Sequence, residues 1–346
     1  MSFKQKTFSY WIKIYCYNND YILLLKRKIK NSLISNIILF ILLPYFILNY
    51  LFTIVYEKFH GFKKIEIFIE KEQSRNFEFE IAIVSIAKNE GLYIKEWIEY
   101  HKLVGIKKFY FYDNESEDNT FEILKPYIEK GIVEYSFIKG KGMQLKAYND
   151  AISKHKNKCR YMGFIDLDEY IMPTIPFESI DKTIGRILLN AGMGAAGVGI
   201  NWALYGSSGH ISRPDGLIVE NYINRGLNSH WGNIHIKVIC NPRLVKNYIS
   251  AHYPFYIRGA YTVRESDGKR IFGWGTDKVL YRNIRINHYY CKSEEDYKIK
   301  ISRGLGDREG EYDMSQFEKY NLNDIHDESM FVYRNRLLSI IEKGIE

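Results

Sequence analysis

Between Phe79 and Pro173 the chain alternates short apolar runs with longer amphipathic stretches, and this alternation constrains the fold most. FEIAIVSIA (79–87), KKFYFYDN (107–114), VEYSFI (133–138) and the run Tyr161 to Ile165 have the length and apolar content of buried strands. LYIKEWIEYHKLVG (92–105) and residues 119–130 and 143–155 carry helical periodicity, and Gly131 stops the second of these helices. Strands and helices in strict alternation predict an α/β, doubly wound sheet, whose ligands bind beyond the carboxyl ends of the strands. GAAGVGINWALYG (194–206) adds a further strand, Val279 to Ile286 another, and residues 313–346 read as a helical tail.

The strand at Tyr161 ends in Asp166-Leu167-Asp168-Glu169, three carboxylates in four residues. On an extended backbone Asp166 and Asp168 share one side and Leu167 turns away. Two neighbouring carboxylates repel unless a cation lies between them. Mg²⁺ or Mn²⁺ takes one or two carboxylates and fills its other positions with water and phosphate oxygens, the arrangement that holds a nucleoside diphosphate. The alternative is a strand running into a charged loop, and D-x-D alone is common. Ala87-Lys88-Asn89-Glu90 and Asp113-Asn114-Glu115-Ser116 follow two other strands and would share the same rim. Asp113 is either a contact to a base or ribose, or a turn residue beside a helix cap. Asn89 and Glu90 are either ligand contacts or caps of the helix near Gly91. Lys141-Gly142 precedes a helix whose first amides suit phosphate.

The formal net charge of +8 describes one end of the chain. Residues 1–32 hold seven lysines and arginines against Asp20, 7 − 1 = +6, so no basic stripe on the remainder argues for nucleic acid. Residues 31–56 carry no charge and include ILFILLPYFILNYLF, long enough to cross a bilayer, with Pro44 near the middle. The expected layout is a basic amphipathic segment (1–32), a membrane anchor (33–56), a charged linker (57–78), a catalytic domain (79–305) and a helical tail (306–346). A helix broken at Pro44 would enter and leave one face and keep the catalytic domain cytoplasmic, against anionic membrane lipid. A straight single pass would place that domain in a lumen. Cys16, Cys159, Cys240 and Cys291 are widely spaced and support neither a zinc site nor a disulfide framework.

KNEGLYIKEWIEYH, FYDNESEDNT and GFIDLDEYI, in this order, resemble glycosyltransferase family 92 and its bacterial relatives in the family 2-like superfamily. NWALYGSSGH (201–210), GLIVENY (216–222), HIKVICNPRLV (235–245) and NHYYCKSEEDYKIKISRG (287–304) extend the resemblance over residues 80–305. It implies a GT-A fold, a Rossmann-like mixed sheet. It also implies a nucleotide-sugar donor, often a UDP-sugar, a divalent metal, and inversion at the anomeric carbon in a hexosyl-type transfer. The acceptor would be a glycan, polysaccharide or lipid-linked saccharide at a membrane.

By the same resemblance His288 would complete the metal site with Asp166 and Asp168, and Lys292 would neutralise the diphosphate; His252 is a rival to His288. A structural hydrogen bond is the ordinary alternative for a lone histidine. Inversion needs a general base, for which Glu220, Asp215 and Glu169 are candidates; Glu220 lies in a mostly apolar segment where burial would raise its pKa. Ser207-Ser208-Gly209-His210 is a polar loop suited to a sugar, and Trp202 and Trp231 offer stacking faces or core packing. Two other readings stand beside this one: a nucleotidyltransferase acting on sugar phosphates, and a non-catalytic, membrane-tethered carbohydrate-binding protein. The first usually carries a glycine-rich basic loop that Ala87 to Glu90 lack.

Overall fold

Alternate residues of the first strand, β1 (Phe79–Ala87), belong to different apolar layers. In a computed structural model describing residues 75–343 apart from 193, 258–259 and 304–312, with scattered positions between 37 and 48, this division organises the molecule. Ile81 and Ile83 pack with Trp97 and Ile98 of α1 (Gly91–Leu103), Phe109 and Phe111 of β2 (Lys108–Asp113), and Leu124 of α2 (Thr120–Glu129). Ala82 and Val84 face the other way, toward Tyr110 and Tyr112 and toward Ala147 and Tyr148 of α3 (Gln144–His155). The two-residue period of the strands thus builds a core on each face of one sheet, with helices covering both.

The remaining strands are β3 (Val133–Phe137), β4 (Cys159–Phe164), β5 (Glu169–Pro173), β6 (Ala195–Leu204), β7 (Asn224–Arg225), β8 (Ile236–Cys240), β9 (Val245–Tyr248), β10 (Pro254–Tyr256), β11 (Tyr261–Arg264), β12 (Arg270–Ile271), β13 (Ile284–His288) and β14 (Ile325–His326). The main sheet runs β12-β11-β6-β8-β4-β1-β2-β3. β3, β2, β1 and β4 are parallel, and β8 enters antiparallel between β4 and β6. β13 pairs parallel to β6 and antiparallel to β5, a second sheet branching from β6. β9 pairs with β10, and β7 with β14.

The other helices are α4 (Ile180–Ala191), α5 (Ile218–Asn221), α6 (Glu294–Arg303), α7 (Met314–Tyr320) and α8 (Phe331–Lys343). Among the described residues the tail is therefore two helices separated by a loop and β14. Helix α8 lies on α1, where Tyr333 meets Tyr100 edge-on at 5.2 Å and Lys95 Nζ donates to the Ile341 carbonyl.

Most expected elements appear within a residue or two of their sequence bounds, and the expected α/β mixed sheet is present. Two expectations are corrected. The strand expected over Val279 to Ile286 starts later and ends on His288, because its partners Glu169 to Pro173 define the paired length. The backbone does not stay extended through Asp166-Leu167-Asp168; it turns there, with the Glu169 N–H donating to the Asp166 carbonyl at 3.1 Å. The expected segments 1–32 and 33–56 and most of the linker lie outside the described residues, scattered positions of 33–56 apart. Among the described residues no helix is long and apolar enough to cross a membrane.

Candidate active site

The turn after β4 is held from both sides. Ser85 Oγ donates to the Ile165 carbonyl, and Leu167 is buried in the core, so Asp166 and Asp168 are pushed out of the apolar layers. Because the chain turns between them, the two carboxylates take different partners. Asp166 accepts from Lys237 Nζ at 2.8 Å and from Gln144 Nε2 at 2.6 Å. Asp168 accepts from Lys300 Nζ at 2.8 Å and faces His288 Nε2 at 3.4 Å. The expectation that both aspartates share one side is therefore corrected.

Register brings His288 there. β13 pairs with β5 so that His288 stands opposite Glu169, and the Tyr289 N–H donates to the Asp168 carbonyl at 2.8 Å. Burial resists charge on Asp168, but the Lys300 ammonium and His288 hold its carboxyl well below the usual carboxylate range. Burial also lowers the pKa of His288 despite Asp168, so the ring favours its neutral form. Its Nδ1 is buried without a hydrogen-bond partner among the described residues.

Glu169 is fully buried; one carboxylate oxygen accepts from the Asp166 N–H at 3.0 Å and lies 3.8 Å from Lys237 Nζ. Burial first, and then the negative charges of Asp166 and Asp168, push its carboxyl well up against the pull of Lys237. For Lys237 burial works against the charge, yet Asp166 and Glu169 keep the ammonium protonated far above its ordinary range. With Glu169 held neutral, the site is thus a charge-matched cluster in which Lys237 answers Asp166 and Lys300 answers Asp168.

A cleft opens beside it, lined by Asn89, Glu90, Tyr93, Arg213, Lys292 and Lys300 among others. Lys292, at a positive φ of 52°, has Nζ 4.0 Å from Glu90 Oε2 and 4.2 Å from the Tyr93 ring centre. Asn89 accepts from the Glu117 N–H at 2.8 Å and gives its own N–H to Ser116 Oγ, which ties the first two rim loops together. Arg213 and Tyr93 converge on Asp296, whose other oxygen accepts from Ser293 Oγ.

Other expected residues have different surroundings. Asp113 uses one oxygen on the Ser116 N–H and the other on the Tyr135 hydroxyl, as a turn residue does. Lys141 is exposed in a loop flanked by Gly140 (φ 114°) and Gly142 (φ 65°). The helix after it reaches the site through the Gln144 side chain. Glu220 lies on α5, caps it by accepting from the Leu217 N–H at 3.0 Å, and is ion-paired with Arg334. Asp215 is exposed in the turn two residues past Arg213. His252 bonds through Nδ1 to the Ile236 carbonyl at 3.0 Å and is held well below the usual histidine range by burial first and then by Lys237. In the polar loop, Ser208 Oγ accepts from the Ile223 and Asn224 N–H groups, and His210 Nε2 lies 3.2 Å from the Asn221 carbonyl.

Lys237, Lys300 and Gln144 were not assigned from sequence. Lys237 had a signal: a lone lysine within the apolar strand HIKVIC must be buried beside a carboxylate. Lys300 stands on α6, eight residues past Lys292, with nothing in its own helix to mark it. Gln144 is an ordinary polar residue opening a helix.

The pattern of glycosyltransferase family 92 matches residues 81–271, more than half of the chain. The chain belongs to glycosyltransferase family 92. A family 92 protein of Ricinus communis is 24% identical over 228 residues, covering 65% of this chain and 38% of that protein. One of Arabidopsis thaliana is 25% identical over 261 residues, covering 71% and 40%. The chain thus spans about two fifths of the length of these relatives. Among solved structures, S. aureus TarS 1–349 is similar at 14% identity and a TM-score of 0.36, covering 77% of this chain and 74% of that one. TarS 1–349 in complex with UDP is similar at 16% identity and a TM-score of 0.33, covering 48% of each chain.

Proposed function

We propose that this family 92 chain transfers a sugar, with inversion, from a nucleotide-sugar, a UDP-sugar in the first instance, to a saccharide acceptor. The observation that carries the reading is the meeting of Asp168 with His288 and Lys300, more than a hundred residues further along the chain, at the carboxyl end of β4, beside a cleft that also holds Lys292.

The residues fit a divalent metal. Asp168 Oδ1 and His288 Nε2 stand 3.4 Å apart, close to the roughly 3 Å between neighbouring ligands on one cation with bonds of about 2.1 Å. Both are hard or borderline donors that suit Mn²⁺ or Mg²⁺. Among the described residues no third histidine, cysteine or carboxylate joins them in a metal-binding group, leaving the other positions to water and phosphate oxygens. When bound, the ion would supply positive charge to the leaving diphosphate. Asp168 and His288 would hold it, and Asp166, fixed by Lys237 and Gln144, would orient the turn or bind through water.

Lys292 and Lys300 line the cleft, and their ammonium groups would stabilise the charge that develops on the diphosphate as the glycosidic bond breaks. Asn89, Glu90 and Asp113 shape the nucleotide end of the same rim. Asp215, exposed beside the cleft-lining Arg213, is taken as the base that removes the acceptor's proton, because Glu220 is committed to a cap and an ion pair and Glu169 is sealed from solvent. The apolar N-terminal segment would hold the domain to membrane lipid on the cytoplasmic side, where sugar nucleotides are made.

Release of nucleoside diphosphate from a panel of nucleotide-sugars, with saccharide acceptors and with or without Mn²⁺, tests the reading. Metal-dependent release from one donor is expected. No release and no binding of any nucleotide-sugar would overturn it.

A further inference from the structure

Six aromatic rings beside Asp168 close into a circle. His288 meets Trp202 at 4.3 Å between ring centres, Trp202 stacks on His235 at 5.0 Å, and His235 meets Trp231 at 6.1 Å. Trp231 then meets Tyr320 at 5.5 Å, Tyr320 meets Tyr290 at 4.8 Å, and Tyr290 returns to His288 at 5.5 Å. The rings come from the end of β6, the turn before β8, the end of β13 and the last residue of α7.

Core packing accounts for only part of this circle: Trp202 packs against the main apolar core, and Tyr290 and Tyr320 against the small cluster of Cys291, Tyr297 and Phe317. Trp231 lies outside every buried apolar cluster of the described residues and stays 45% exposed. Trp202, His235, Tyr290 and Tyr320 are each half-buried, so ring surface remains for a ligand. Lys319 Nζ, 4.6 Å from the Trp231 ring centre, braces the indole against α7. The circle is continuous with the reacting end of the site, because His288 is at once one of its rings and the partner of Asp168. Flat rings with polar edges suit the C–H faces and hydroxyls of a pyranose, and they add little conformational entropy cost.

We propose that this aromatic circle seats the acceptor saccharide, with Trp231 and Tyr320 as its principal stacking surfaces. The proposal rests on the glycosyltransferase reading and adds an acceptor seat to it. Trp202, Trp231 and His235 lie within residues 81–271, the part that matches the family, whereas Tyr320 and Lys319 come from the tail beyond it. Acceptor choice would therefore be set in part by the tail.

The test uses the full chain and reads saccharide binding directly, by saturation-transfer NMR against a panel of neutral and anionic oligosaccharides, alongside UDP affinity by calorimetry. Wild type is expected to bind at least one saccharide, with ring protons of the sugar saturated most strongly. Trp231→Ala and Tyr320→Ala should each weaken that binding roughly tenfold or more, the scale of an aromatic anchor in an interface. Trp231→Phe should recover most of it, which separates stacking from a folding defect, and UDP affinity should not change. Saccharide binding equal to wild type in Trp231→Ala and Tyr320→Ala would overturn the proposal, as would no saccharide binding by wild type. UDP binding retained in either case would leave the donor half of the reading standing, whereas a wild type that binds no nucleotide would fail that reading instead.

Discussion

Lys300 Nζ lies 2.8 Å from Asp168 Oδ2, while His288 Nε2 faces the other oxygen of the same carboxylate at 3.4 Å. One buried carboxylate is thus shared between an ammonium group and an imidazole that burial keeps toward its neutral form. Lys300 also donates to the Tyr290 carbonyl at 3.0 Å and lies 3.9 Å from the Tyr290 ring centre, so it is held over the site before any ligand arrives. The charge that a diphosphate would need is already in position.

Asp168→Asn removes the negative charge that holds Lys300 and faces His288, with almost no change in volume. Transfer is expected to fall by at least about 10²-fold, the scale of losing one electrostatic group in a reacting site. Far-UV circular dichroism should match wild type. A wild-type rate would remove Asp168 from the chemistry.

Metal binding can be read without turnover. Mn²⁺ titration followed by electron paramagnetic resonance should show one site, weakened about tenfold or more in His288→Ala, the lower range seen when even an outer-shell partner of a metal is lost. EDTA should abolish turnover, and Mn²⁺ or Mg²⁺ should restore it. Full activity in chelator would end the metal assignment.

Lys237→Met leaves Asp166 without its cation, while Glu169 is already held neutral by burial. A loss of ~1–3 kcal/mol in unfolding free energy is expected, the cost of leaving a partly buried charged group without its partner. Adding Asp166→Asn should recover part of it, because the uncompensated charge is then gone. Urea unfolding of the two single variants and the double variant measures the coupling, and simple additivity would mean that Lys237 and Asp166 act independently.

Glu220 is expected to matter for stability before rate. Glu220→Gln loses the ion pair with Arg334 and should cost ~1 kcal/mol. Transfer should persist, whereas Asp215→Asn should keep UDP affinity and lose transfer. The reverse pattern in a steady-state assay would make Glu220 the base.

Glu96 supplies a pH signature. Its carboxylate accepts from the Ile218 N–H at 2.8 Å and the Val219 N–H at 3.1 Å, which caps α5 from α1. Burial raises its pKa from 4.5 to about 7 against those two bonds, so between these values the folded chain keeps a proton that the unfolded chain releases. The stability this contributes is fully present below pH 4.5 and is lost as pH rises through about 7. Relative to Glu96→Gln, wild type should therefore gain stability, by at most ~3 kcal/mol, as pH is lowered from about 8 to about 5. Parallel stability curves for the two proteins would show that Glu96 does not titrate there.

The local part of this structure was legible from residue order. β1 over 79–87 matches its sequence bounds, and α1, α2 and α3 start within a residue of theirs, because their apolar periods are clean and their ends carry glycine or polar breaks. Asp166 and Asp168 were marked by an apolar strand stopping at carboxylates. Glu220 was harder to read, since an acid in an apolar segment suggests a perturbed base until its partner, 114 residues away, is known. Asp113 shows the same limit: the Ser116 cap is local and readable, but the Tyr135 hydroxyl that fills its second oxygen comes from the neighbouring strand.

By itself the sequence determined the strand–helix alternation, the carboxylates that follow the fourth strand and the family pattern, all written in spacings of a few residues. Only the tertiary structure decided which cation each acid takes. Strand register sets that choice: β13 against β5 places His288 beside Asp168, and β8 between β4 and β6 carries Lys237 to Asp166. The packing of α6 and α7 brings Lys300 to Asp168 and Tyr320 to Trp231. Side-chain contacts fall off within a few ångströms, whereas these partners lie scores of residues apart, so no local pattern could announce them.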